Sequence, residues 1–151
     1  MNARATASPG SCHIVQLFED DASLGETVSH FLGAGLAAGE MVLVIATAAH
    51  RGAFWRHLTD RTFDLERAQA SGLYTELDAG DILAGFMVNG RPDPEKFEAL
   101  VGRRVAALQQ ARPGVHIRAY GEMVDLLWGD GNPAAALELE SLWDELCARQ
   151  P

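Results

Sequence analysis

The run Met41-Val-Leu-Val-Ile-Ala-Thr47 constrains this chain more than any other feature. A strand with one face in water alternates apolar and polar side chains, with period two. A run that is apolar at six successive positions has no face to give to water. Such strands are buried on both faces, in parallel sheets covered by helices above and below. The run therefore predicts a three-layer α/β/α domain with a mainly parallel central sheet.

The rest of the chain alternates in the way such a fold requires. His13–Phe18 reads as a first strand. Leu24, Val28, Phe31, Leu32 and Leu36 repeat at helical spacing, and Gly39 stops that helix. Ala49–Leu58 is predicted helical, and Phe63–Ala70 forms a short helix leading to a strand over Leu73–Leu77. Asp78–Met87 is helical and Asn89-Gly90-Arg91-Pro92 is a turn. Asp93 caps a long helix with Pro94 at its first position, and Pro113-Gly114 ends it. Val115–Tyr120 is a fourth strand, Glu122–Trp128 a short helix, and Asn132-Pro133 caps a last helix carrying Leu139, Leu142, Trp143 and Leu146. With 151 residues and 48% hydrophobic content, one core accounts for the chain. Residues 1–11 read as a flexible tail and residues 12–151 as the domain.

The net charge is -9, and Lys96 is the only lysine. Nucleic acid and anionic membrane surfaces are excluded as partners, because phosphate neutralisation needs clustered cations. No stretch approaches the ~20 apolar residues of a membrane span, and no secretory leader is read, so the expected location is cytoplasmic. Cys12 and Cys147 form no CxxC pair. They read as reduced thiols, with a terminus-to-terminus disulfide as the less favoured alternative.

The turn after the first strand, Glu19-Asp-Asp-Ala-Ser-Leu-Gly-Glu-Thr27, lies where phosphate-binding α/β proteins carry a Gly-rich loop. Here Gly25-Glu26-Thr27 replaces Gly-Lys-Thr, so the charge is reversed. Glu19, Asp20 and Asp21 crowd the same turn, which opposes a triphosphate. Ser23-Leu-Gly-Glu26 also has the pattern of a capping box. Phe18-Glu-Asp-Asp21 is similar to the acidic pair of receiver domains. The later strand-end Asp and the strand-end Lys of that family have no counterpart here.

Longer segments point elsewhere. Gly35-Leu-Ala-Ala-Gly-Glu40, Ala46-Thr-Ala-Ala-His-Arg51, Leu77-Asp-Ala79, Phe86-Met-Val-Asn-Gly90, Phe97, Arg118-Ala-Tyr-Gly-Glu-Met-Val-Asp-Leu-Leu-Trp128 and Leu139-Glu-Ser-Leu-Trp143 occur in an order and spacing that resembles the MEDS sensory domain. Asp144 departs from the Asn expected after the tryptophan. The resemblance implies a RecA-like fold with a degenerate phosphate loop and a non-catalytic role in bacterial signal transduction. It implies a small organic, hydrocarbon-derived ligand and action in trans on a signalling protein such as a histidine kinase. No cofactor is expected, and homodimerisation is left open.

In open parallel sheets ligands settle at the carboxyl ends of strands. That rule collects Thr47, His50, Asp78, Tyr120 and Glu122 as candidate ligand-binding residues, with Trp55, Phe86 or Trp128 as apolar walls. Arg118 joins them as a strand cation expected to pair with Asp78 or Glu122. Each has a structural alternative: His50 as a surface residue of a first helical turn, Asp78 as a helix cap, Glu122 as a helix-start charge. Trp128 and Trp143 read as core, and His13 and His116 as structural. No metal-ligand spacing and no nucleophile elbow is present.

Overall fold

The structure is a computed structural model that describes His13–Ile14 and residues 21–149. Its elements are β1 (His13–Ile14), α1 (Asp21–Ala37), β2 (Met41–Ala46), α2 (Ala48–Asp60), α3 (Leu65–Ala70), β3 (Tyr74–Asp78) and α4 (Ala79–Phe86). There follow β4 (Met87–Val88), β5 (Arg91–Pro92), α5 (Pro94–Phe97), a π-helical segment Glu98–Gly102, α6 (Arg103–Ala111), β6 (Ile117–Gly121), α7 (Met123–Gly129) and α8 (Pro133–Ala148).

The main sheet has strand order β1-β6-β2-β3, and all its pairings are parallel. β2 is buried along its whole length, as its composition requires. Its side chains divide between two cores. Met41, Leu43 and Ile45 meet α4, the π segment, α6, α7 and α8 on one face. Val42, Val44 and Ala46 meet α1, α2 and α3 on the other. This is a three-layer α/β/α arrangement. The chain crosses from β1 to β2 to β3 through α1–α3, then returns from β3 to β6 through α4–α6 on the opposite face. Adjacent strands β2 and β6 thus send their following helices to opposite faces.

Local chemistry sets several boundaries. Asp93 accepts from the Lys96 N–H (2.9 Å) with Pro94 next, and Asn132 accepts from the Ala135 N–H with Pro133 next. Asn89 and Gly90 have φ of +51° and +76°, the left-handed pair a two-residue hairpin turn demands. The expected turn is therefore a small antiparallel hairpin between β4 and β5.

The long helix after Asp93 is interrupted. Its wider turn, Glu98–Gly102, brings Leu100 against Gly85 of α4, where a Cβ would lie 2.6 Å from Leu100 Cδ1. Ser23 and Glu26 both lie inside α1, which runs from Asp21, so Ser23 does not stand at the N-cap position expected of it. Cys147 is disulfide-bonded, and no cysteine among the described residues is free. This overturns the reading of reduced thiols. Sequence distance misled it: α8 packs on β1, so opposite ends of the chain meet. The expectations for residues 1–11, Cys12, the first strand beyond Ile14, and Glu19 and Asp20 lie outside the described residues.

Candidate functional site

The point where β2 and β6 part their helices is where open α/β sheets place ligands. Here a single carboxylate bridges it. The Glu122 N–H donates to Ile45 O at 2.9 Å, which carries the β6–β2 pairing one residue beyond the strand. Its side chain, only 3% exposed as a residue, turns back across the gap. Oε2 accepts from the Thr47 N–H at 2.9 Å. Oε1 accepts from His50 Nδ1 and from the Tyr120 hydroxyl, the latter at 3.1 Å.

The sequence explains each placement. Thr47 ends β2 with extended dihedrals and caps α2, its Oγ1 accepting from the His50 N–H at 3.4 Å. That cap orients the first turn of α2, which aims His50 at Glu122. Tyr120 points to the α1–α2 side, edge-on to Phe54 at 5.4 Å between centroids. Burial, then the Glu122 charge, raises the Tyr120 pKa far above its ordinary value, so the phenol stays a donor. Asp125, one turn on in α7, has an Oδ1 with no hydrogen-bond partner. Burial, then the Glu122 charge, pushes its carboxyl up to about 6.

A second latch joins β2 to β3. Arg51 Nε donates to Ala46 O (3.2 Å) and its terminal nitrogen to Asp78 Oδ2 (3.0 Å), with Glu76 3.9 Å away. Asp78 also accepts from the Asp81 N–H at 3.0 Å and caps α4. The Asp81 N–H foremost, with Arg51 behind it, holds the Asp78 carboxyl below its ordinary value. Among the described residues, no three His, Cys, Asp or Glu side chains are grouped to hold a metal ion. No helix among them is long and apolar enough to cross a membrane.

Residues 12–151 match a family described as the methanogen/methylotroph, DcmR sensory domain, MEDS. The chain belongs to the MEDS family. No curated protein and no solved structure matches it.

In this MEDS domain, Thr47, His50, Tyr120 and Glu122 converge at one point, and Asp78 lies on the next strand along the same edge. Arg118 does not join them. It sits at the start of β6, where Nε donates to Glu40 at 2.6 Å, Nη1 donates to Phe31 O at 3.0 Å, and the guanidinium lies 4.8 Å from the Phe31 ring centre. The expected pairing with Asp78 or Glu122 is replaced by one with Glu40, because both residues stand at the amino ends of their strands. Trp143 is core at 2% exposure, but Trp128 is 47% exposed, which corrects its assignment to the core. It ends a short helix whose buried side is Met123, Val124 and Leu127. Arg51 and Asp125 were missed as members of the strand-end cluster. Arg51 follows His50 in the same first turn, which was the available signal for it.

Proposed function

We propose that this MEDS domain is a non-catalytic sensor that binds a small organic ligand and biases a signalling protein, such as a histidine kinase, in trans. Membership in a sensory family supports the sensing half. One observation supports the non-catalytic half as far as nucleotide hydrolysis is concerned. Gly25, Glu26 and Thr27 are not a loop; they lie in the second turn of α1, which begins at Asp21. Past the first four residues of a helix, N–H groups donate to the helix's own carbonyls. These amides are therefore spent on the helix and cannot cradle phosphate. Lys96, the only lysine, stands in the first turn of α5.

A second reading, a protein-interaction module without a ligand, is favoured by the strand-end crevice being bridged by the chain's own Glu122. A thermal-shift screen separates the two. The compounds are small alcohols, aldehydes, halogenated hydrocarbons and short acids, with ATP and magnesium beside them. A ligand that binds only the native state raises the midpoint by mass action. A sensor gives a reproducible shift with an organic compound and none with ATP and magnesium. An interaction module gives no shift with any compound. A shift with ATP alone would overturn both readings.

A further inference from the structure

At the amino end of β6, opposite the Glu122 crevice, the layer of α6 and α8 stands away from the sheet. The gap is a half-open cavity of about 800 Å³, within the range of small-molecule sites. Its inner walls come from three elements: Val105 of α6, Ile117 and Ala119 of β6, and Trp143 and Leu146 of α8. Each of these five is less than 9% exposed, so the cavity reaches into the core. Close-packed interiors rarely leave voids of this size.

The chemistry of the lining is selective. None of its described residues is Asp, Glu, Lys or Arg, in a chain that is 22% charged. Among the described lining residues a carboxylate or phosphate would meet only the His116 imidazole, which already stands 3.7 Å from Glu40, and an ammonium would meet no carboxylate; either would lose hydration with little compensation. Gln109 and Gln110 at the mouth offer neutral amides to a single polar group. A second feature marks the same wall. α6 is entered through the π-helical segment Glu98–Gly102, a rare geometry that frequently occurs at functional sites. The segment leads through Gly102, where a Cβ would fall 2.5 Å from the Glu98 carboxyl, and Val105 stands one turn beyond.

We infer that this cavity between α6, α8 and the start of β6 is the binding site for a small, uncharged, mainly apolar organic molecule. The inference rests on the sensory reading and moves the ligand away from the strand-end residues.

The test titrates the full chain with the uncharged fluorophore N-phenyl-1-naphthylamine. Its emission should rise on binding and fall when toluene or butanol is added. Benzoate and benzylammonium at equal concentration should leave it unchanged. Ala106→Phe, projecting from α6 into the gap, should weaken the fluorophore at least tenfold with circular dichroism and melting midpoint preserved. Gln109→Phe serves as a second filling variant should the first fail to fold. His50→Ala should bind as the parent does. No emission change, or binding insensitive to a folded filling variant, would overturn the site; closure of the cavity by the chain's own residues gives the former. If an organic compound stabilises the parent and Ala106→Phe alike but not folded Glu122→Gln, the cavity is wrong and the sensory reading stands. If fluorophore and toluene compete in the cavity while the screen yields no stabilising compound, the cavity stands and the sensory reading falls.

Discussion

Glu122 holds three donors on one nearly dry carboxylate, so truncating it takes this acceptor from all of them. Glu122→Ala leaves the Thr47 N–H, His50 and the Tyr120 hydroxyl without this acceptor. At about 1 kcal/mol for each, the loss is about 3 kcal/mol, read as a lower urea midpoint at unchanged slope. Asp125 behaves in the opposite sense. Its folded pKa of about 6 lies above the ordinary 3.8. Between those values the folded chain keeps a proton that the unfolded chain releases, so this contribution to stability is lost as pH rises. Asp125→Asn should therefore raise stability at pH 7.5 by about 1 kcal/mol, part exposure screening the full shift. It should give no gain at pH 4; equal gains at both would refute the assignment. Glu40 is a third case. Its hydrogen bond from Arg118, opposed by burial and helped by the Arg118 charge, holds its carboxyl below 4.5. The stabilisation is present above that value and disappears as pH falls through the folded pKa. A cycle of Glu40→Gln and Arg118→Met should give a coupling of about 1 kcal/mol at pH 7 that shrinks as pH falls through the folded Glu40 pKa.

The aromatic chain Phe86–Phe97–Trp143 ties α4, α5 and α8 together, with edge-to-face centroid spacings of 5.4 and 5.5 Å. Phe97 is 2% exposed. Phe97→Ala should cost about 3–5 kcal/mol by calorimetric or urea unfolding, and a loss under 1 kcal/mol would mean the helices close over the gap. This is also the scale at which the sequence was most readable. β2 followed from its unbroken apolar run. The starts of α5 and α8 followed from Asp93-Pro94 and Asn132-Pro133, because a cap involves only residues three or four apart. The strand-end convergence of Thr47, His50, Tyr120 and Glu122 followed from a rule about parallel sheets. What stayed hidden depends on registers between distant segments. The π turn sets Leu100 against Gly85, fifteen positions earlier. Arg118 finds Glu40 only because β6 lies beside β2 with Met41 opposite Ile117. The cavity depends on how far α6 and α8 stand apart, which no local pattern encodes.

At the scale of the molecule, the order β1-β6-β2-β3 places a late segment between two early ones. β2 pairs with β3 soon after both are made, but its other edge waits for residues 117–121. That edge belongs to the most apolar strand of the chain, and an open apolar edge is a template for pairing with other chains. During synthesis at roughly 5–20 residues per second, a nascent chain passes several seconds with β2 unpaired on that side. Over that interval the open edge of β2 is expected to offer a template to chaperones that shield strands. A stalled chain ending before Ile117 should be captured by them, and the full chain released from the ribosome should not.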